Sequence, residues 1–229
     1  MLYAIGDLHL SLTADKPMDK FPGWENYVQR LRDGFGVVTD RDVTVICGDL
    51  TWGMTLEQCL EDFLFIDRLP GKKIILKGNH DYWWATATKT KKFFAANNIN
   101  TIDILHNNCF YYNDIALCGT RGWFYEEETG GEHDKKVMNR ELIRLETSLK
   151  AAEGAERKFC FLHYPPRYND YVCGEITELL RKYGVERCYY GHIHGPGRRF
   201  AVEGTVDGVE YTMVSADHLR FTPLCVTDL

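Results

Sequence analysis

An α/β domain with layers of helices around mixed β-sheets is the fold class that the sequence predicts. Short β-branched and aromatic runs alternate with segments of helical periodicity, and strand-like runs then cluster in the last third of the chain. Strands that alternate with helices are typical of α/β folds, and the later cluster of strands favours mixed sheets. With 229 residues, 45% of them hydrophobic, the chain is long enough for a large core, so we expect a single domain over residues 1–229.

The predicted strands are short and carry the β-branched and aromatic residues that pack well on a pleated sheet. They cover residues 2–5, 43–47, 73–76, 102–105, 109–112, 115–118, 159–162, 187–190 and 210–214. Apolar residues at helical spacing predict the helices, which cover residues 24–35, 55–69, 86–97, 139–152 and 175–182.

Two local patterns refine these elements. Thr55 followed by Gln58 is typical of a capping box at the start of the second helix. The acidic, glycine-containing segment 120–136 has no periodicity, and we expect a loop there. A loop of this length is either a solvated connection or a functional segment.

The composition narrows the classes of function without selecting one. A formal net charge of −6 and a pI of about 5.8 give no basic footprint for a phosphate backbone, so nucleic acid is not an expected partner. The N-terminal stretch MLYAIGDLHL lacks the basic region of a signal peptide, and no apolar run approaches the roughly 18 residues of a membrane span. We expect a cytoplasmic protein without a membrane contact, and nothing in the sequence indicates an obligate protein partner.

Eight cysteines are scattered along the chain without a CxxC pair. Several lie within apolar strand-like runs, such as VICGD and KFCFLHY, where a free thiol packs as a small hydrophobic group. The alternative is a disulfide framework, which is typical of shorter secreted chains. Reduced cysteines are therefore the prediction.

Five predicted strands end in polar residues of one chemical kind. These residues are Asp7 and His9, then Asp49, then Asn79, His80 and Asp81, then His163, and finally His192 and His194. Ligands bind at the carboxyl ends of strands in α/β sheets, so the side chains are predicted to converge on one edge. Glycines before several of them let the backbone turn and approach closely. Carboxylate, imidazole and amide ligands without a thiolate suit Mn, Fe, Zn, Co or Ni better than a structural zinc site.

Each of these residues also has a plain structural explanation when it is taken alone. Asp49 is placed to cap a helix, Asp7 to occupy a surface turn, and YYGHIHG to end an aromatic strand in two exposed histidines. The metal interpretation depends on the repetition of one chemistry at five strand ends. Seven ligands exceed what one tetrahedral ion holds and suit two ions about 3.5 to 4 Å apart that share a carboxylate. The histidines outside these positions are expected to be ordinary structural residues, and they are His106, His133 and His218.

The motifs GDLH, GDLTWG, GNHD, HYPP and GHIH occur in this order from residue 7 to residue 194. Together they resemble the five blocks of the calcineurin-like metallophosphoesterases. The resemblance implies a four-layer α/β/β/α sandwich with two mixed sheets and a dinuclear site at one sheet edge. It also implies that Asp49 bridges two ions, of which one is held by Asp7, His9 and His194 and the other by Asn79, His163 and His192.

The resemblance further implies a metal-dependent phosphoric ester hydrolase. Two divalent or mixed-valence ions, with Mn, Fe or Zn favoured, lower the pKa of a bridging water, so that hydroxide attacks phosphorus in line with the leaving oxygen. His80 matches the catalytic histidine of the family, which contacts the substrate and is not a metal ligand. It is expected to stabilise the transferring group or to protonate the departing alkoxide.

The second block departs from that of the Ser/Thr protein phosphatases, which reads GDxVDRG. Trp52 and Gly53 stand where that branch has an aspartate that orients the catalytic histidine and an arginine that grips phosphate. Asp81 is the candidate to hold His80 instead, and it is included with the catalytic residues. The departure argues against protein phosphatase activity.

Two further features carry open alternatives. Arg121 is a candidate replacement for the phosphate-binding arginine, or else it is a surface residue paired with a glutamate at 126–128. The aromatic run 82–84 either packs in the core beneath the third helix or forms a stacking surface for a base.

The expected activity is hydrolysis of a phosphate-ester substrate, a phosphomonoester or a phosphodiester. A cyclic-nucleotide or other small phosphodiesterase is the alternative within the same class. A non-catalytic metal-binding scaffold is the alternative from a different class, and a nuclease is a third.

Overall fold

The structure is a computed structural model that describes residues 1–124 and 131–227. Its strands are Leu2–Ile5 (β1), Val43–Ile46 (β2), Lys72–Ile75 (β3), Ile102–Ile104 (β4), Phe110–Tyr112 (β5), Ile115–Thr120 (β6), Arg157–Leu162 (β7), Arg167–Tyr168 (β8), Tyr171–Val172 (β9), Arg187–Tyr190 (β10), Gly204–Val206 (β11), Val209–Met213 (β12) and Leu224–Cys225 (β13). Its α-helices are Tyr27–Gly34 (α1), Leu60–Arg68 (α2), Ala87–Ala96 (α3), Glu132–Lys150 (α4) and Gly174–Lys182 (α5). Short 3-10 helices cover Met18–Lys20, Phe35–Val37 and Gly195–Phe200.

The strands form two large mixed sheets and one short hairpin. The five-stranded sheet has the order β13-β1-β2-β3-β4, in which β1 to β4 are parallel and β13 is antiparallel. The six-stranded sheet has the order β11-β12-β10-β7-β6-β5, with four parallel central strands and an antiparallel strand at each edge. Strands β8 and β9 pair with each other as the hairpin.

Alternation along the strands places apolar side chains on both faces of each sheet. In β1, Leu2 and Ala4 pack between the two sheets, whereas Tyr3 and Ile5 pack in the core under α1, α2 and α3. Every side chain of this strand is buried, which is typical of a parallel strand that is covered on both faces.

The six-stranded sheet repeats this arrangement toward the opposite side. In β7, Phe159 and Phe161 point between the sheets, while Cys160 and Leu162 join the core formed with α4 and α5. Each fully buried phenylalanine contributes about 1.5–3 kcal/mol relative to an exposed one. Helices, sheet, sheet and helices therefore form four layers, which confirms the predicted α/β/β/α sandwich.

Two helix starts differ from the sequence prediction by more than three residues. The segment 120–136 was expected to be a loop, but α4 already begins at Glu132, and its first turn carries Glu132 and Asp134, which favour a helix N-terminus. Periodicity missed this turn because its residues are polar and largely exposed. Residues 125–130 of the same segment lie outside the described part of the chain.

The second helix begins later than predicted. It starts at Leu60, and residues 55–58 form a separate turn in which the Thr55 hydroxyl accepts a hydrogen bond from the Gln58 backbone N–H at 3.3 Å. The Gln58 side chain accepts from the Met54 N–H at 2.9 Å instead of from Thr55. The capping residues thus organise a turn that leads into the helix.

All eight cysteines are free, and six of them are buried, which confirms the prediction of unpaired thiols. No helix among residues 1–124 and 131–227 is both long and apolar enough to span a bilayer.

Candidate metal centre

The site lies where the carboxyl ends of five strands meet, and these strands come from both sheets. Strands β1, β2 and β3 of the five-stranded sheet lead into Asp7, Asp49 and Asn79. Strands β7 and β10 of the six-stranded sheet lead into His163 and His192. The sequence predicted that these side chains converge on the edge of one sheet. The structure instead places them where the edges of two sheets meet.

Glycines permit this approach at the tightest points. A side chain at Gly78 would overlap the carboxylate of Asp49, and a Cβ on Gly191 would lie 2.5 Å from Oδ2 of Asp7. The Gly191 N–H also donates to the carbonyl of His163 at 3.1 Å. The two glycines therefore let the loops of different strands, and of different sheets, close around the carboxylates.

Four of the predicted ligands have left-handed backbone conformations. The φ angles are 59° at Asp7, 46° at His9, 51° at Asp49 and 72° at His192. Such conformations cost non-glycine residues on the order of 1–3 kcal/mol each and persist only where surrounding contacts fix them. Their concentration here indicates that the fold holds these side chains in place at the expense of local strain.

One group of donor atoms consists of Asp7, His9 and His194, whose ligand atoms lie within 4.8 Å of one another. The Nε2 atoms of His9 and His194 are 3.1 Å apart, and Nε2 of His194 is 3.5 Å from Oδ1 of Asp7. These three residues come from β1 and β10, one strand from each sheet.

A second group surrounds Asn79. Its Oδ1 lies 2.6 Å from Nε2 of His163 and 3.0 Å from Nδ1 of His192. Asp49 stands between the two groups, since its Oδ2 is 3.5 Å from Nε2 of His163 and 3.7 Å from Nε2 of His9. The alternating histidines His192 and His194 thus face different groups.

Ile193 lies between these two histidines in the chain. It is buried in the core against α4 and α5, as the alternation of a strand end predicts.

Outer contacts fix which nitrogen of two histidines faces the site. Nδ1 of His163 lies 3.0 Å from the carbonyl of Cys47, and Nδ1 of His194 lies 3.1 Å from Oδ1 of Asp217. Because a carbonyl and a carboxylate accept, both Nδ1 atoms carry a proton, and Nε2 of each ring is the nitrogen that faces the site.

Asp217 was not among the residues that the sequence singled out. It follows β12 in the stretch SADHL, which belongs to none of the five motifs, so only its contact with His194 reveals it. The Gly195 N–H also donates to its Oδ2, at 3.0 Å.

The electrostatics of the cluster match a cation site. Asp7 and Asp49 are 0% and 1% exposed. Burial and the nearby Asp7 raise the pKa of Asp49 to about 8. Burial opposes ionisation of Asp7 too, but His194, His163 and His9 hold its pKa well below the ordinary value.

Burial also sets the charge state of the histidines. It lowers the pKa of His192 to about 3 and depresses the pKa values of His9 and His163. Burial likewise opposes the charge of His194, yet Asp7 and Asp217 raise its pKa to about 10. Carboxyl groups, imidazoles and an amide oxygen that crowd together in a buried place form a donor set that fits divalent cations.

His80 lies beside the cluster and is held by different contacts. Its backbone N–H donates to Oδ1 of Asp49 at 2.8 Å, and its ring Nδ1 lies 3.1 Å from the Tyr82 hydroxyl. The Trp52 ring is 4.3 Å from the His80 ring and stacks on His9 at 4.9 Å. Burial, followed by repulsion from His163 and Lys16, lowers the pKa of His80 to about 4.

Asp81 occupies a different place from the one expected. Instead of contacting the His80 ring, its fully buried carboxylate accepts the backbone N–H groups of Asp49 at 2.9 Å, Leu50 at 2.9 Å and Gly78 at 2.7 Å. The indole of Trp83 donates to it at 3.1 Å. Asp81 therefore ties the loop after β2 to the loop after β3 and is a positioning residue. The Tyr82 hydroxyl makes the contact to His80 that was expected of Asp81.

The Arg121 side chain forms an ion pair with Glu141, with an N–O distance of 3.3 Å, and does not point at the predicted ligands. Its carbonyl accepts the backbone N–H groups of His163 at 3.1 Å and Tyr164 at 2.9 Å. Neither alternative drawn from the sequence anticipated Glu141, because this partner lies on α4, 20 residues along the chain. The glutamates at 126–128 lie outside the described residues.

The aromatic run 82–84 and the three histidines outside the motifs were also singled out from the sequence. Trp83 is buried against Phe63 at 4.8 Å, as core packing predicts, whereas Tyr82 is 49% exposed next to His80. The three other histidines lie outside both donor groups, and they are His106, His133 and His218.

Comparison with known proteins shows the family to which the chain belongs. The sequence profile of the calcineurin-like phosphoesterases matches residues 2–196. The chain belongs to this family. It is accordingly a metal-dependent phosphoester hydrolase, and divalent metal ions are its cofactors. No curated protein gives a significant match to the sequence.

Solved structures share the fold of this phosphoesterase at low sequence identity. The phosphopantetheinyl hydrolase of Mycobacterium tuberculosis is 13% identical, with a TM-score of 0.57 over 93% of this chain and 88% of that one. A protein of unknown function from Aquifex aeolicus is 17% identical, with a TM-score of 0.51 over 98% and 94%. A protein from Thermus thermophilus, TT1561, is 14% identical, with a TM-score of 0.52 over 84% and 81%. At these identities the likeness shows the fold alone.

Proposed function

We propose that this phosphoesterase hydrolyses phosphomonoesters or phosphodiesters at a dinuclear centre. The observation that carries the proposal is the pair of donor groups with Asp49 between them. Asp7, His9 and His194 would hold one ion, and the other would be held by the second group, Asn79, His163 and His192. The ligand chemistry suits Mn, Fe or Zn.

The bound ions would neutralise phosphoryl oxygens and activate water near neutral pH. The side chains of the protein supply the remaining chemistry. With its Nδ1 atom in contact with the Tyr82 hydroxyl, His80 presents Nε2 for the substrate and is placed to stabilise the transferring group through a hydrogen bond. Trp52 packs on His80 and His9 and shields this side of the site from water. Asp217 and the Cys47 carbonyl contact Nδ1 of His194 and His163, so that Nε2 of each ring is the atom turned toward the site.

The test combines turnover with metal content. Protein loaded with Mn should hydrolyse p-nitrophenyl phosphate or bis-p-nitrophenyl phosphate and retain two ions per chain. His80→Ala should lower kcat by about 10²- to 10³-fold, the usual cost of losing one hydrogen-bond donor to the transition state, while both ions stay bound. Asn79→Ala should lose metal as well as activity.

His133→Ala is the matched control, because the His133 side chain is 81% exposed and lies on α4. This variant should keep full activity. Absence of turnover with Mn, Fe, Zn, Co and Ni for both ester types would refute the proposal and leave a metal-binding scaffold. Addition of cyclic nucleotides to the panel decides between a general phosphoesterase and a small-molecule phosphodiesterase.

A further inference from the structure

A cleft of about 240 Å³ lies directly against the predicted ligands His192 and His194. Phe124, Pro165, Tyr168 and Ile193 line the rest of it together with Gly197, and we call it the aromatic cleft. A group bound there would be next to a phosphate held at the metal centre. The cleft is therefore placed to receive the part of the substrate that the ester bond joins to phosphate.

The walls of the aromatic cleft are built from the same loops that carry the ligands. The chain passes from His163 through two prolines into the β8–β9 hairpin, which presents Tyr168. The Tyr168 hydroxyl donates to the carbonyl of Gly197 at 3.3 Å, and the Asn169 N–H donates to the carbonyl of Phe200 at 2.9 Å. These bonds join the hairpin to the segment after His194, so both walls are fixed relative to the ligands.

The lining is aromatic and uncharged apart from the two histidines. The ring of Phe124 lies 6.2 Å from that of Tyr168 at 75°, and 4.6 Å from that of Tyr171 at 59°. Within the described residues, no Lys, Arg, Asp or Glu lines the aromatic cleft. Apart from the two predicted metal ligands, the described wall favours a neutral apolar group and has no charged side chain to pair with a second phosphate or a carboxylate.

The size of the aromatic cleft also limits its occupant. A buried apolar cavity of about 150 Å³ accommodates benzene, so 240 Å³ leaves room for one ring with its linking atoms. Edge-to-face contacts with Phe124 and Tyr168 favour a flat aromatic ring over a flexible chain. We propose that the preferred substrate carries an uncharged aromatic ring close to its phosphoester and that this ring binds in the aromatic cleft. The proposal rests on the function proposed above.

Benzyl phosphate and methyl phosphate form the test pair, because their leaving alcohols have similar acidity and differ in the ring. The Mn-loaded enzyme should hydrolyse benzyl phosphate with a kcat/KM about ten-fold or more above that for methyl phosphate. Binding of benzylphosphonate and methylphosphonate, measured by calorimetry, should show the same preference without turnover.

Phe124→Ala and Tyr168→Ala should each reduce the benzyl preference by about ten-fold in both measurements. Tyr168→Phe, which keeps the ring and loses the bond to Gly197, should retain most of it. Tyr111→Ala is the control, because Tyr111 is an exposed aromatic residue on β5, outside the aromatic cleft, and this change should leave the preference intact.

The outcomes separate the two proposals. Equal hydrolysis and equal binding of the benzyl and methyl compounds by the wild-type enzyme would overturn the aromatic cleft as a substrate site, with the phosphoesterase proposal untouched. No hydrolysis of either ester, or of the nitrophenyl esters, would count against the proposed function itself. An unchanged benzyl preference in folded Phe124→Ala and Tyr168→Ala proteins would also overturn the proposed location of the ring.

Discussion

The two sheets supply opposite walls of the metal centre, and the walls differ in chemistry. The five-stranded sheet contributes both predicted carboxylate ligands, the amide and one imidazole, that of His9. Asp81 ties together the loops that carry Asp49 and Asn79. The six-stranded sheet contributes imidazoles, which are His163, His192 and His194, and also lines the aromatic cleft. Neither wall holds a complete donor group, because each group combines residues from both. Metal binding therefore depends on the packing between the sheets as well as on the ligands themselves.

Among the variants that test the two walls separately, Asp81→Asn should cause the largest loss of stability. The carboxylate accepts three backbone N–H groups and the Trp83 indole in a fully buried place, and an amide can accept with only one of its two ends. We expect the free energy of unfolding to fall by about 3 kcal/mol, with weaker metal binding. Urea denaturation and metal analysis measure both effects.

Asp114→Asn, at an exposed position in the β5–β6 turn, serves as the control for Asp81→Asn and should change neither quantity. Unaltered stability of the Asp81→Asn protein would show that the five-stranded wall does not need this carboxylate.

Asp217→Asn changes the wall from the six-stranded sheet and should weaken metal binding at one donor group only. The carboxylate holds Nδ1 of His194, and loss of such an outer partner typically costs 10- to 100-fold in metal affinity. The ion next to His9 and His194 should be affected, while the ion next to Asn79 stays bound. Metal titration that resolves two binding events checks this, and an equal weakening of both events would contradict the division into two donor groups.

Tyr82→Phe tests how His80 is oriented. Removal of the hydroxyl deletes the 3.1 Å contact with Nδ1 and keeps the ring. A net hydrogen bond is worth about 0.5–1.5 kcal/mol, so kcat should fall by up to about ten-fold with little change in KM. In a His80→Ala background the same change should have no further effect. An additional loss in that background would show that Tyr82 acts independently of His80.

The smallest expected effect on stability comes from Lys73, which lies at the start of β3, at the end of the five-stranded sheet away from the metal centre. Its buried ammonium donates to the carbonyls of Asp67 at 3.2 Å, Leu69 at 2.6 Å and Gly71 at 2.7 Å. Burial lowers its pKa from 10.5 to about 8. Between these pH values the unfolded chain keeps a proton that the folded protein releases, so stability contributed by this group rises with pH.

The comparison of wild type with Lys73→Met isolates this contribution. The free energy of unfolding of the wild type, minus that of the variant, should increase between pH 8 and pH 10.5. A difference that is flat or decreases over this range, measured by urea denaturation, would contradict the lowered pKa of Lys73.

The sequence predicted most of the strands and singled out polar residues that the structure brings together, because both depend on local patterns. Strands β1 and β10 have the predicted bounds, since buried parallel strands appear as uninterrupted apolar runs. The short strands β8, β9, β11 and β13 were missed, because two or three residues carry no periodicity. The start of α4 was missed because its exposed first turn contains no apolar residue.

The contacts that hold the side chains of the site in place could not be predicted in the same way. Asp217 reaches His194 across 23 residues of sequence, and Arg121 reaches Glu141 across 20. Neither pair has a motif, since a single hydrogen bond between distant residues leaves no pattern in composition or spacing. Asp81 was expected to hold His80, but its partners are the Trp83 indole and backbone N–H groups, which every residue type except proline has.

By itself, the sequence determined the fold class and the chemistry at five strand ends, because alternation, glycine turns and ligand types are local properties of the chain. Only the tertiary structure decided that two sheets face each other across the site, that Tyr82 contacts His80, and that an aromatic cleft adjoins His192 and His194. These features arise from packing between segments far apart in the chain, where geometry is set by the whole core and not by any one stretch of residues.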